Sequence, residues 1–478
     1  MDLRQKVLSG LRWSAGARFL SQLATWAITL IVMRLLTPAD YGLMALAGIF
    51  VSLLALLNEL GLGAALIQRR NLDDTTLRQI FGLLIVISFC LFLILSLMAP
   101  LIAAFFSEER IVLIIRVLST QFIITSFAII PQSLIDREMY FKKKSIVDFI
   151  SALGGSLITL MLAMKGWGVW SLVWGNLAIT GLRTIGLNFI FRYLHLPLFS
   201  FKGMAQIISF GGYVTISRTL WFFFTQADKF IVGKLLGKEL LGFYSVSNDL
   251  ASLPMEKVSG IINQVGFPAF SSIQADSQKV ASHFLKAVRI MSFLAFPVLW
   301  GISSIAPELV AVLLGDKWRL AALPFQLLSL VIPIRMVSNL IAPAAMGLGR
   351  PDIPFSYALL ASLVLPVSIL IGSHWGLVGV SLAWVIIFPL VFLYYLSRMV
   401  AVLKIKVLDV LSSMSRSALA AFSMYIIVIA TKMLFGTDAK SILSLLLLII
   451  VGVIAYGGVI ISMNRQGYRE VIGLMLQK

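Results

Sequence analysis

Apolar runs of membrane length, separated by short polar breaks, recur along the whole chain. A helix needs about 20 apolar residues to cross the hydrocarbon layer. The breaks divide the sequence into fourteen predicted spans, at 11–36, 41–66, 79–106, 111–132, 145–165, 167–190, 204–235, 240–266, 284–314, 320–347, 354–372, 375–397, 415–435 and 441–463. Inside a bilayer every backbone N–H and C=O must find its partner within the segment or in a closed barrel. Short segments of alternating apolar and polar residues, the mark of a membrane barrel, do not occur. The pattern therefore predicts an all-α polytopic membrane protein, with short loops and no soluble domain.

The polar positions inside the spans carry a second pattern. In the first span Ser14, Arg18, Gln22, Thr25 and Thr29 are spaced by threes and fours, which places them on one stripe of a helix. A charge at the bilayer centre costs roughly 2.5–3.5 kcal/mol on insertion scales, so Arg18 is expected to face a cavity or a partner. The arrangement returns 200 residues downstream: Arg18 matches Arg218, Thr25 matches Thr225 and Arg34 matches Lys234. Between 34–53 and 234–253, 5 of 20 positions are identical, Gly42/Gly242 and Ser52/Ser252 among them. An even number of spans per copy gives both copies the same orientation, related by an axis along the membrane normal. Two pseudo-symmetric six-helix lobes are expected, 1–203 and 204–397, followed by two C-terminal helices and a cytoplasmic tail in 398–478.

Composition fits this picture, with 59% hydrophobic and 13% charged residues and a mean hydropathy of +0.98. A soluble domain carries about 25% charged residues. The formal net charge of +18 raises nucleic acid as a partner, but lysine and arginine also set membrane orientation. With the N-terminus in the cytoplasm, 23 of the 39 basic residues fall on inner segments, about 8 on outer segments and 8 within spans. The excess is thus an orientation signal, both termini are expected inside, and no nucleic acid is needed. The single cysteine, Cys90, sits in an apolar run, so neither an internal disulfide nor a cysteine metal site is expected. The basic start lacks a small-residue cleavage site and reads as uncleaved. The tail from Asn464 to Lys478 mixes apolar and basic residues, as an interfacial helix or a frayed end would.

Spans one, two, seven and eight hold most of the intramembrane polarity. Arg218, Thr225 and Lys229 share one face of span seven, with Arg218 and Lys229 about 16 Å apart along the axis. Asp228 lies to one side. Asp249, Ser252 and Glu256 share a stripe of span eight, while Asn58 and Glu59 lie near the inner end of span two. Arg183 in span six and Arg335 in span ten are further buried cations. Such charges either pair with one another as structural glue or line a cavity. Matched positions on polar stripes favour the cavity for Arg18 and Arg218. A cavity rich in cations selects an anion, and phosphate suits arginine and lysine best. The expected cationic set is Arg18, Arg218, Lys229, Arg335 and Arg183, with Gln22, Thr25, Thr225, Ser252 and Asn58 as polar lining. Asp228, Asp249, Glu256 and Glu59 suit a coupling ion, a proton or sodium, or serve as partners for the cations. Three scattered histidines and the lack of HExxH, GxSxG or phosphate-loop motifs predict neither an enzyme nor a cofactor.

The segments WSAGARFLSQL and RLLTPADYGLMAL, NELGLGAALIQRR at 58–70, DREMYFKK at 136–143, GFPAFSSIQAD at 266–276 and LLGDKW at 313–318 resemble the polysaccharide-transport branch of the multidrug/oligosaccharidyl-lipid/polysaccharide flippase superfamily. The likeness, to the Wzx-like colanic-acid-exporter type, runs over about 1–420. It implies a fourteen-span protein of the bacterial inner membrane with two six-helix lobes. It also implies transport of undecaprenyl-diphosphate-linked oligosaccharide units from the cytoplasmic to the periplasmic leaflet, alongside a polysaccharide polymerase or export machinery. Span-one arginines of relatives map onto Arg18 alone. A cation-coupled multidrug exporter of the same superfamily remains the alternative from this architecture. A polysaccharide polymerase or ligase is the alternative from another class, although the short outer loops offer it no catalytic domain.

Overall fold

The computed structural model describes residues 24–59, 73–138, 140–192, 195–200, 219, 222–223, 225–436 and 439–463. Nearly all of them are helical, and among the described residues no strand occurs. The first elements are α1 (Ala24–Leu35), α2 (Pro38–Glu59), α3 (Asp74–Phe106), α4 (Ile111–Arg137), α5 (Phe141–Met164) and α6 (Val169–Ile190). Next come α7 (225–235), α8 (Gly237–Ser272), α9 (Ser277–Ser304), α10 (Ala306–Leu313) and α11 (Ala322–Ser338). The chain ends with α12 (Ile341–Gly347), α13 (Asp352–Gly372), α14 (Gly376–Leu403), α15 (Val407–Phe435) and α16 (Ile442–Met463). Among the described residues nine stretches are long and apolar enough to cross a membrane. One of them, Asp352–Leu403, holds both α13 and α14, with a single 3₁₀ turn at Ser373–Trp375 between them.

The chain divides into two compact units, one reaching Gly242 and the other starting at Phe243. In the first unit, Ile80, Phe81 and Leu84 of α3 pack on Ile130 and Leu134 of α4. The far side of α4 meets Leu187 of α6 through Ala128 and Ile135. Hydrocarbon does not drive helices together, so close approach depends on small residues. Gly155 and Gly175 provide it between α5 and α6: a Cβ on Gly155 would stand 2.1 Å from Ile179 Cγ1, and one on Gly175 1.8 Å from Thr159 Oγ1. In the second unit, Ile305 and Val312 pack against Met424 and Val428 of α15 and Leu445 and Leu448 of α16.

Two predicted spans are broken. Span nine ends as a helix at Ser304, and Pro307 then opens α10, because proline has no N–H to continue the ladder but is tolerated in a first turn. Span ten breaks between Ser338 and Ile341, with Pro343 in the turn that restarts it. Other helices outrun their predicted spans. At 1.5 Å per residue the 33 residues of α3 and 36 of α8 reach about 50 Å or more, well beyond the hydrocarbon.

The start of α2 shows how local chemistry fixes an entry point. Thr37 and Asp40 form a capping box: the Thr37 N–H donates to Asp40 Oδ2 at 2.9 Å, and the Asp40 N–H donates to Thr37 Oγ1 at 3.3 Å. Pro38 occupies the first helical position. The other Asp40 oxygen accepts the Val169 N–H at 3.0 Å, which ties the start of α2 to the start of α6.

Candidate functional site

Arg18, Gln22 and Arg218 lie outside the described residues, as does the side chain of Glu59. The remaining predicted residues fall into two groups, one in each unit. In the first, Thr25 Oγ1 is buried and has no hydrogen-bond partner among the described residues. On α7 the Thr225 hydroxyl donates to the Phe222 carbonyl at 3.1 Å. Asp228, next to it, is 3% exposed, and its Oδ1 accepts the Lys229 N–H at 2.7 Å.

Asn58 and Arg183 have defined partners. Asn58 is 4% exposed; its amide donates to Thr125 Oγ1 at 2.9 Å, and its Oδ1 accepts the Ser88 hydroxyl at 2.6 Å. It links α2, α3 and α4. Arg183 of α6 donates to Asp148 of α5 at 2.9 Å, with both side chains 38% exposed. In a membrane segment, such a half-exposed pair fits a polar cavity better than lipid.

The same unit contains a contact that repeats itself. A Cβ on Gly42 of α2 would stand 1.7 Å from the Lys238 carbonyl oxygen, and one on Gly242 1.8 Å from the Pro38 carbonyl oxygen. Positions 38 and 238, and 42 and 242, are partners in the sequence repeat. The contact is therefore reciprocal, as across a two-fold axis. Beside it the Lys238 ammonium donates to Glu108, which Arg110 also meets at 3.0 Å. Burial pushes the Glu108 carboxyl upward, but the bonds from Lys238 and Arg110 outweigh it and leave the group below its ordinary value of 4.5. Lys234 lies 4.3 Å above the Phe105 ring centroid.

In the second unit Arg335 of α11 lies over Trp384 of α14, 4.6 Å from the ring centroid, and 6.0 Å from that of Phe388. Trp384 is buried and donates its indole N–H to the Tyr244 hydroxyl at 3.1 Å. An aromatic face gives a cation a seat without neutralising its charge. On α8, Ser245 and Ser252 are buried, and Ser245 Oγ has no partner among the described residues. Asp249 and Glu256 are exposed on the same helix. Away from this group, Lys432 of α15 donates to Glu308 at 2.6 Å and to the Ser304 carbonyl at 2.5 Å, and Glu308 is 5% exposed. A nearly wholly apolar cavity of about 550 Å³ lies among α9, α15 and α16, bordered by Pro297, Met424 and Tyr456.

Three structural features escape sequence reasoning: Trp384 as the seat of Arg335, the Glu308–Lys432 pair and the glycine crossing. The first had a signal in Trp384, a tryptophan in mid-span rather than at an interface. The third had one in the matched glycines.

The arrangement brings a half-exposed ion pair, an aromatic-seated arginine and several intramembrane acids into a polytopic helical scaffold. The family described as polysaccharide biosynthesis protein matches residues 31–323, more than half of the 478 residues. The chain belongs to this family. Among polysaccharide biosynthesis proteins, it is 25% identical over 390 residues to the lipopolysaccharide biosynthesis protein WzxC of Escherichia coli (strain K12), covering 81% of this chain and 79% of that one. Solved structures place this family member's fold. It matches the lipid II flippase MurJ in an inward closed conformation with a TM-score of 0.73 at 15% identity, over 96% of this chain and 99% of that chain. It also matches an inward-facing multidrug-resistance transporter of the MOP superfamily with a TM-score of 0.60 at 16% identity, over 80% and 96%. The resemblance expected from the sequence motifs and the all-α polytopic fold are both borne out.

Proposed function

We propose that the chain is a flippase. It moves undecaprenyl-diphosphate-linked oligosaccharide repeat units from the cytoplasmic to the periplasmic leaflet of the bacterial inner membrane, for exopolysaccharide, capsule or O-antigen assembly. Membership of the polysaccharide biosynthesis family carries this reading. The intramembrane cations support it, because a diphosphate is the part of such a lipid that most needs charge in a low-dielectric site. Arg18 and Arg218 hold the diphosphate, while Lys229, Arg183 and Arg335 extend the cationic wall. The apolar cavity among α9, α15 and α16 offers part of the prenyl tail a seat that excludes water. The two six-helix lobes rock about the site, and a proton or sodium ion returning inward through Asp228, Asp249 or Glu256 adds to the drive.

A chromosomal deletion complemented with variants tests this. Loss of the protein is expected to leave lipid-linked repeat units on the cytoplasmic side; loss of a polymerase would instead leave single units exported. Arg18→Ala and Arg218→Ala, at wild-type expression, are expected to lower export at least tenfold, the value of one strong charge-assisted contact. Full export by both variants would end the cation-trap mechanism.

A further inference from the structure

We infer that the basin between the start of α9 and the end of α14 is a binding site for the phosphate headgroup of an anionic phospholipid in the cytoplasmic leaflet. The basin holds about 650 Å³ and is lined by Ser277, Gln278, Ser282 and Arg289 of α9 and by Lys404 and Ile405 beyond α14. Its lining is mixed. Two cations and two hydroxyls stand beside Leu285, Leu403 and Ile405, as the junction of a lipid headgroup and its chains requires. Lys404 is held at φ 55° and ψ 37°, the left-handed conformation that helix ends usually assign to glycine. A lysine there is strained, and strain of this kind collects at binding sites. The conformation ends α14 at the basin, whose lining includes Lys404.

The acid that caps α9 is engaged within its own helix. Asp276 Oδ1 accepts the N–H groups of Gln278 and Lys279 at 3.1 Å each, and its Oδ2 lies 3.3 Å from the Lys279 ammonium. By the charge asymmetry of the sequence, this end of the second unit faces the cytoplasm. Basic pockets between membrane helices on the cytoplasmic side bind the headgroups of anionic lipids. A free phosphate would satisfy the cations but leave the apolar side of the basin against water. The inference does not depend on what the protein transports.

Native mass spectrometry of the full-length detergent-solubilised protein with added phosphatidylglycerol tests it, with phosphatidylcholine for comparison. The wild type is expected to retain phosphatidylglycerol in preference. Lys404→Gly and Arg289→Gln are each expected to weaken it about tenfold, the scale of one charge-assisted hydrogen bond. Glycine suits the turn, so Lys404→Gly is also expected to raise the thermal midpoint in lipid-free detergent, which separates lost binding from misfolding. Lys142→Gln with Lys143→Gln removes two cations from the start of α5 and is expected to leave binding unchanged. Wild-type retention by both basin variants, or an equal loss in this control, would overturn the proposal. So would displacement of the lipid by glycerol 3-phosphate at equal concentration, which would assign the basin to a soluble phosphate ester.

Discussion

Glu108 joins the turn after α3 to Lys238, 130 residues away, and its charge is kept by that contact and by Arg110. Because its folded pKa lies below the ordinary 4.5, the contact stabilises the protein fully above about pH 4.5 and is lost as pH falls through the lowered value. The thermal midpoint of the wild type is therefore expected to fall below pH 4.5, and that of Glu108→Gln to fall less steeply across the same window. Equal slopes would show that the pair contributes nothing. At this scale the sequence was legible in kind more than in partnership. Arg183 stood out as a cation in an apolar span, but Asp148 faces it only because α5 and α6 pack closely through glycines. Asn58 was visible as polar, yet its partners Ser88 and Thr125 lie 30 and 67 residues away.

Helices were the most legible elements, since a run of twenty apolar residues has one stable form in lipid. Their interruptions were less so. The break at Ile305 depends on Pro307, whose presence was plain but whose effect depends on whether it opens a helix or bends one. The crossing of α2 and α8 was half legible: the repeat paired Gly42 with Gly242, but only the fold brings each against the other's helix. A side chain cannot enter at 1.7 Å from a carbonyl oxygen without moving backbone. Gly42→Val is expected to cost at least the roughly 1–3 kcal/mol of an overpacked core and to lower the thermal midpoint. Gly48, about one and two-thirds turns along α2, has nothing within 4 Å of its added Cβ. Gly48→Ala is thus expected to leave the midpoint unchanged or raise it by the roughly 0.5–1 kcal/mol that alanine gains over glycine in a helix. Matching losses from both would remove the crossing as a close contact.

Across the whole molecule the function proposed above has an electrical signature. Carrying about two negative charges outward across an inside-negative potential is downhill by roughly 2.3 kcal/mol per charge per 100 mV, about 4–5 kcal/mol in all. In proteoliposomes, a valinomycin-set potential is expected to shift the final distribution of a prenyl-diphosphate substrate toward the positive side. A distribution indifferent to voltage would remove the electrogenic mechanism. The class of protein was legible at this scale because the bilayer permits so few architectures. The last two helices show what a repeat cannot reveal, since they have no counterpart in it and one of them carries Lys432. Glu308 and Lys432 are 124 residues apart, and the ribosome completes Glu308 first. At about 5–20 residues per second the interval is roughly 6–25 s. Throughout that time the nascent chain carries a carboxylate destined for burial with no ammonium to meet it. The last turn of α9 and α10 therefore lack this charge partner until α15 is made, and their apolar packing is complete only with α16, whose Leu445 and Leu448 join Ile305 and Val312.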